Sequence, residues 1–223
     1  MLKSIKEERL ARLIVRKEFN EKYNIELVEF LTNSVENKKE IIKTIDFINN
    51  ITFTHVGLNS LEYIVHPLRM TKMIYEFENS VNIDTLNIAL LHNIFEVSNI
   101  TESEFLLSYS KELMDSLKKL KVNRLLENDL EYKKKYYKNI FCSSEVSIVK
   151  AIDKLDNLFL LCLNPNDKIR ENYLLEIENF IYPIVEKYIP TLLIYYKELV
   201  KNCREIGFLD KHTSIKIYNK DYS

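Results

Sequence analysis

Apolar residues recur along this chain at the three- and four-residue intervals of amphipathic helices, with charged residues between them. Only two glycines and four prolines interrupt the pattern, which favours long helices joined by short polar loops. We therefore predict an all-α protein, folded as a single-domain helical bundle. The predicted helices span residues 3–20, 24–33, 38–52, 67–77, 85–97, 101–121 (as one helix or two), 126–141, 145–163, 168–188 and 190–206.

Local signals indicate where some of these helices begin. Pro67 suits a first helical turn, because the N–H that a proline lacks has no helical partner there. Asp84 is the predicted N-cap of the helix that follows it. Thr101 followed by Glu104 predicts a capping box for the next helix.

The chain shows no internal repeat and no low-complexity linker, so we expect one main domain with extensions at both ends. The charged helical segment at residues 1–44 is predicted to pack on that domain. The domain itself spans residues 45–206, and residues 207–223 form a C-terminal tail.

Composition and charge exclude several classes of function. The 32 basic and 33 acidic residues create no strong overall field, so no dedicated nucleic-acid binder is expected. Two glycines are too few for the usual phosphate-binding loops. Three widely spaced cysteines without a CxxC pair predict neither disulfides nor structural zinc, and favour a reducing cytoplasm. No apolar run approaches the roughly 20 residues that cross a bilayer.

Polar residues inside apolar frames mark the candidate chemistry. His92 and Glu96 are four residues apart in the helix predicted at 85–97, so they would share one face. His66 directly precedes a proline, and Asp153 borders the apolar stripe of another helix. Two imidazoles with an oxygen ligand suit Mn, Fe or Zn. Such a metal makes water more acidic for attack on a phosphate ester, and Glu96 could orient or deprotonate that water.

These residues also have a purely structural interpretation. A single histidine on an apolar helix face is commonly a core residue bonded to a backbone carbonyl. Asp153 could form an ion pair with Lys150 or Lys154, its neighbours on the same helix. Spacing alone leaves the metal site and the structural interpretation both open.

Three segments, in order, resemble the HD-domain phosphohydrolases, and most closely the hydrolase domain of RelA/SpoT-type alarmone enzymes and the small alarmone hydrolases. They read "HVGLNSLEYIVHPLRM", "TLNIALLHNIFEVSNIT" and "IVKAIDKLDNLFLL". The first is similar to the family's His-x-Gly…Tyr-Ile-x-His-Pro opening, and the second to Leu-Leu-His-Asp-x-x-Glu-Asp. The third is similar to Ala-Asp-Arg-Leu-His-Asn. The resemblance covers roughly residues 45–200 and implies a helical bundle of the HD-domain type.

The resemblance implies a role for each matched residue. The family's metal ligands fall on His66, His92, Asn93 and Asp153, and its catalytic glutamate falls on Glu96. The implied cofactor is a divalent metal, Mn before Fe or Zn. The implied activity is removal of the 3′-pyrophosphate from guanosine tetraphosphate (ppGpp) or a related nucleotide.

A nucleotide-contacting asparagine of the family falls on Asn157. Beside it, Lys150 and Lys154 are the predicted cations for phosphate or sugar. These three residues form the predicted substrate-binding group, and the expected partner is a nucleotide-like small molecule.

Four departures from the family pattern bear on activity. Asn93 replaces an aspartate, so it brings no negative charge and should weaken metal binding. Val97 replaces the catalytic aspartate, and Asp156 replaces a histidine. The segment "GLNSLEY" lacks the basic residues that hold guanine in the family.

Three functions therefore stay open. The first is a divergent metal-dependent phosphohydrolase acting on a nucleotide or related phosphate ester. The second is a catalytically impaired protein of the same fold that binds a nucleotide or a protein partner, with metal bound weakly or not at all. The third is an assembly module, including a homo-oligomer, whose interface uses the charged first helix and the tyrosine-rich segment "YPIVEKYIPTLLIYY".

Overall fold

The computed structural model describes residues 4–54, 58–77 and 82–210. Within these ranges the elements are helices, and Phe53 and Ser98 form an isolated antiparallel bridge. The prediction of an all-α fold is confirmed. The first residues of the motif "HVGLNS" and most of the predicted tail (residues 55–57 and 211–223) lie outside the described residues.

The helices are numbered here in chain order. They are α1 Ile5–Lys17, α2 Lys22–Ser34, α3 Lys38–Asn49, α4 Ser60–Phe77, α5 Ile83–Leu91, α6 Ile94–Val97, α7 Glu102–Leu106, α8 Lys111–Leu120, α9 Leu130–Phe141, α10 Ser144–Leu158, α11 Asp167–Glu176, α12 Tyr182–Tyr188 and α13 Leu193–Ile206. Short 3₁₀ segments occupy Leu161–Leu163 and Pro190–Leu192, and a π turn occupies Ile177–Ile181. None of the helices in the described ranges combines the length and apolar character that crossing a bilayer requires.

Helix α4 begins seven residues earlier than predicted, so Pro67 lies inside it. A reciprocal pair of bonds starts the helix: Glu62 N–H donates to Asn59 Oδ1 (3.0 Å), and Asn59 N–H donates to Glu62 Oε2 (2.9 Å). This is the capping-box arrangement with asparagine as the cap. Pro67 removes one helical hydrogen bond, and yet it is buried with its neighbours on the core side of α4.

The helix predicted at 85–97 is two helices, α5 and α6, separated by a turn at His92 and Asn93. The N-cap of α5 is Asn82, two residues earlier than the predicted Asp84, and Asn82 Oδ1 accepts from the N–H of Asp84. Further along, the predicted capping box of Thr101 and Glu104 is present at the start of α7.

The chain divides into two compact units, one formed by residues 21–152 and the other by residues 1–20 with 153–223. Helix α10 runs through the boundary, so that its residues 153–158 belong to the second of these units. The boundaries predicted from sequence at 44/45 and 206/207 remain predictions.

In the unit of residues 21–152, α4 packs against α2, α3 and α5, and α5 also packs against α3 and α8. Every residue from Thr85 to Leu91 is buried, as expected for a helix that the sequence makes apolar on nearly all sides. Each leucine or isoleucine buried there contributes roughly 1.5–3 kcal/mol. The core therefore holds the end of α5, and His92 with it, in a fixed position.

In the unit of residues 1–20 and 153–223, the charged helix α1 carries two buried arginines, Arg9 and Arg12. Arg9 donates to the carbonyl of Phe159 (3.2 Å) and to the side-chain oxygen of Asn202. Because these bonds join α1 to the end of α10 and to α13, the first helix is part of the core of this unit.

Candidate metal centre

Three of the predicted ligands come together. His66 from α4, His92 from the end of α5 and Asp153 from α10 each offer one ligand atom, and these atoms all lie within 4.8 Å of one another. Asp153 and His92 are buried, and His66 is half-buried. Of the histidine, cysteine and acidic side chains in the described ranges, these three are the ones that meet as a possible metal-binding group.

The two imidazoles meet edge to face, with ring centroids 5.1 Å apart and planes at 71°. Nδ1 of His92 lies 2.8 Å from the carbonyl oxygen of Ala89. A carbonyl only accepts, so Nδ1 carries the proton, and in the neutral ring the lone pair is on Nε2. A bond of this kind from the second ring nitrogen to a backbone carbonyl is typical of metal-binding histidines.

The carboxylate of Asp153 is oriented by its own helix. Asn157 lies one turn further on, and its Nδ2 donates to Asp153 Oδ1 over 2.7 Å. Asn157 is exposed and Asp153 is buried. Their hydrogen bond therefore links the surface of α10 to the interior. The sequence predicted Asn157 as a nucleotide contact, and its observed partner is the candidate ligand.

This donor set fits a transition-metal ion. Bonds from nitrogen or oxygen to such ions are about 2.0–2.2 Å, so two ligands of one ion lie at most about 4.4 Å apart. The spacing of up to 4.8 Å is within a few tenths of an ångström of that limit. Two imidazoles and one carboxylate with open positions suit Fe, Zn or Mn better than Mg or Ca.

Asn93, the predicted fourth ligand, follows His92 in the turn between α5 and α6. Its backbone carbonyl accepts from the N–H groups of Glu96 (2.8 Å) and Val97 (3.1 Å), which starts α6. The side chain is half-buried, and its role as a ligand remains a prediction.

Glu96 does not share a continuous helix face with His92, because the turn separates them. One of its carboxylate oxygens accepts from the backbone N–H of Val122 (2.9 Å), and the other accepts from Arg124 Nη2 (2.9 Å). Its side chain is only 8% exposed. Burial alone would lower the pKa of Arg124, but Glu96 and Glu127 outweigh that effect and raise it. Glu96 is thus held by the segment after α8, outside the group of three ligands.

The two predicted substrate-binding lysines are both buried. Lys154 Nζ forms an ion pair with Glu176 Oε1 at 2.6 Å and lies 4.2 Å from the centre of the Tyr173 ring. Lys150 Nζ lies 5.8 Å from the ring centre of Tyr136. Lys154 is therefore committed to a partner in its own unit, and phosphate binding by either lysine remains a prediction.

Two tyrosines that the sequence did not single out lie within electrostatic reach of Asp153. Burial raises the pKa of Tyr173 and Tyr196 well above the ordinary value, and the charge of Asp153 raises both further. Both phenols therefore stay protonated. Tyr173 lies on α11 and Tyr196 on α13, each at the ordinary spacing of core residues along its helix. No sequence signal therefore distinguishes these tyrosines.

Asp156, which stands where the resembled family has a histidine, has a structural partner. Its Oδ1 accepts from Arg12 Nε at 2.8 Å, and Arg12 also pairs with Glu8 at 2.6 Å and covers the Phe159 ring at 4.1 Å. Burial acts to lower the pKa of Arg12, but the two carboxylates raise it. The buried carboxylate of Asp156 is therefore paired. The partner, Arg12, was not predicted, although Arg9, Arg12 and Leu13 share one face of α1.

Comparison with known proteins gives a distant likeness in structure. No protein-family model matches the chain, and no curated protein is similar to it in sequence. A solved structure of a metazoan ortholog of SpoT, which hydrolyzes ppGpp and plays a role in starvation responses, superposes with a TM-score of 0.60. It is 16% identical, and the match covers 79% of this chain and all of that one. The likeness shows a shared fold, in agreement with the predicted helical bundle.

Proposed function

We propose that this protein is a divergent metal-dependent phosphohydrolase acting on a nucleotide or a related phosphate ester. The observation that carries the proposal is the convergence of His66, His92 and Asp153 within 4.8 Å. The fold that the chain shares with a ppGpp-hydrolyzing protein supports the same reaction class. ppGpp and pppGpp are therefore the first substrates to test, and Mn is the first metal.

Each residue has a defined task in this proposal. His66, His92 and Asp153 hold the divalent cation, with the amide oxygen of Asn93 as a weaker fourth ligand. A cation bound there supplies positive charge to a phosphate oxygen and makes a neighbouring water more acidic. Ala89 fixes the tautomer of His92 through its carbonyl, and Asn157 fixes the orientation of Asp153.

Proton transfer is assigned to Glu96, which accepts a proton from the attacking water. In the structure its carboxylate is bonded to Arg124 and to the N–H of Val122. Glu96 must therefore exchange at least one of these bonds before it can act as a base. This requirement predicts slow turnover in the absence of any group that competes for Arg124.

The test measures metal binding and turnover separately. Metal-free protein is titrated with Mn, and bound metal and melting temperature are recorded; saturation at about 100 times Kd should add about 2.7 kcal/mol of stability. Phosphate or pyrophosphate release is then measured with ppGpp, pppGpp and common nucleotides. Asp153→Asn should abolish metal binding, whereas Asp46→Asn, the same change at an exposed position of α3, should leave it unchanged.

Asn157→Ala tests the positioning of the ligand rather than the ligand itself. Loss of an orienting partner typically lowers metal affinity about 10–100-fold. Absence of Mn binding at millimolar concentrations, together with no release from any substrate, would refute the phosphohydrolase proposal.

A second function is favoured by the state of Glu96 and by two neighbouring residues. The carboxylate is already bonded to Arg124, and Asn93 and Val97 stand where the resembled family has aspartates. These features suit a protein that binds a nucleotide without hydrolysing it. Thermal stabilisation by a nucleotide without turnover would support this function, and gain of activity in the double variant Asn93→Asp/Val97→Asp would show that the catalytic residues alone had been lost.

A further inference from the structure

A cavity that is open to solvent lies in the unit of residues 21–152, between the end of α8 and the start of α9. Its volume is about 440 Å³, within the range of about 300–1,000 Å³ typical of small-molecule sites. The residues that line it are Lys118, Lys121, Val122, Asn123, Arg124, Leu125 and Tyr132. None of them was singled out by the sequence as part of a site.

Several hydrogen-bond donors of this cavity are available to a ligand. Among the described residues Lys121 has no carboxylate partner, and it is exposed. The hydroxyl oxygen of Tyr132 accepts from the backbone N–H of Asn123 at 2.7 Å, which leaves the phenolic proton to donate. The side-chain oxygen of Asn123 accepts from Leu125 N–H, so its amide N–H groups are directed elsewhere. The lining is therefore rich in donors.

Three carboxylates form ion pairs with Lys118 and Arg124 of this cavity. The strength of these pairs determines which positive charges are available to a ligand. Glu102 pairs with Lys118 at 2.7 Å, and Glu127 pairs with Arg124 at 3.2 Å. Glu96 pairs with the other terminal nitrogen of Arg124 at 2.9 Å. The exposed pairs with Glu102 and Glu127 are weak, since exposed ion pairs contribute about 0–1 kcal/mol. The pair with Glu96 is partly buried and is the one with which an anion has to compete.

We propose that this cavity binds the phosphate group of a small phosphorylated molecule through Lys121, Arg124 and Tyr132, and that the bound phosphate competes with Glu96 for Arg124. A guanidinium presents its N–H groups in a fork that matches two phosphate oxygens as well as two carboxylate oxygens. Occupation of the cavity therefore weakens the bond between Arg124 and Glu96. This goes beyond the proposed function, because phosphate binding here requires neither the metal nor turnover.

The proposal makes a thermodynamic prediction for both partners of the ion pair. If phosphate and Glu96 compete for Arg124, removal of the Glu96 charge strengthens phosphate binding, and removal of the Arg124 charge weakens it. A structural role for Arg124 alone predicts no gain of affinity when Glu96 is changed. Lys119, one residue from the cavity on α8 and exposed, offers a matched loss of one positive charge.

The experiment uses the full chain without metal, titrated with inorganic phosphate and followed by calorimetry and by the backbone amide signal of Val122. We expect Lys121→Ala and Arg124→Gln each to weaken phosphate binding by about fivefold or more, the loss expected for one favourable charge contact. Glu96→Gln should bind phosphate about fivefold more tightly. Lys119→Ala should stay within about twofold of the wild type.

A second arm identifies the recognised group. Adenosine monophosphate should bind with an affinity at least that of inorganic phosphate, and adenosine should not bind in this cavity. The proposal is wrong if phosphate shows no saturable binding, or if Lys119→Ala weakens binding as much as Lys121→Ala, or if Glu96→Gln fails to tighten it. Failure of the metal centre or of turnover would leave these measurements unaffected, so the two proposals are tested independently.

Discussion

Replacing Asp156 with asparagine removes the carboxylate that faces the buried guanidinium of Arg12. The two side chains are 1% and 2% exposed, and Nε lies 2.8 Å from Oδ1. With charge centres roughly 4 Å apart and an effective dielectric constant of about 20, their attraction is about 4 kcal/mol. Glu8 remains at 2.6 Å from Arg12, and the asparagine oxygen still accepts a hydrogen bond, so part of this energy is retained.

We therefore expect Asp156→Asn to lower the free energy of unfolding by about 2–4 kcal/mol, near the 3–5 kcal/mol typical of removing one partner from a buried pair. At a urea dependence of about 2–3 kcal/mol per molar, the midpoint should fall by about 1 M. The measurement is urea unfolding followed by circular dichroism, with Asp46→Asn as the exposed control, expected within about 0.5 kcal/mol of wild type.

A double variant separates the loss of a partner from the loss of the aspartate itself. Replacing Arg12 with methionine and Asp156 with leucine removes both charges at once, and apolar replacement of a buried pair is often neutral. The double variant should therefore be more stable than Asp156→Asn alone. A midpoint for Asp156→Asn within about 0.2 M of the wild type, or a double variant that is the less stable of the two, would contradict the reasoning.

Two further properties can be tested without knowledge of the ligand. Cys142 is exposed, whereas Cys162 and Cys203 are 2% and 4% exposed. Burial also raises the pKa of the Cys203 thiol to about 11. Titration with a thiol reagent should therefore label Cys142 rapidly in the folded chain, and the other two cysteines only after unfolding. Hydrogen bonds from Arg204 lower the pKa of Glu178. The stabilisation that the Glu178 carboxylate provides is therefore fully present above the unfolded-state pKa of about 4.3. It is lost as the pH falls through the lower folded-state pKa. The stability difference between wild type and Glu178→Gln should accordingly shrink on acidification below about pH 4, and a difference that grew there would show the opposite shift.

Helix content was predictable because its signals are local. The capping box at Thr101 and Glu104 and the apolar spacing of α5 depend only on residues a few positions apart. The start of α4 was missed although the sequence carries its signal, Asn59 three residues before Glu62. Pro67 suits a first helical turn, but the cap at Asn59 determines where the helix begins.

The break between α5 and α6 could not be predicted in the same way. Apolar residues continue at helical spacing through residues 85–97, so nothing in that stretch marks a turn. The N–H of Thr54 donates to the carbonyl of Val97 at 2.7 Å, from a segment 43 residues away in the sequence. A contact with a distant segment therefore helps to hold the end of α6, and such contacts leave no trace in a local pattern.

The sequence by itself determined which residue types are present for chemistry: two histidines and one aspartate in apolar frames, in the order of a known family. Only the tertiary structure decided which partner each polar side chain takes. It bonds Glu96 to Arg124, 28 residues away, and Asp156 to Arg12, 144 residues away. The reason is physical: a buried charge must be paired with whatever the packing of distant helices brings within about 3 Å, and a one-dimensional pattern does not contain that distance.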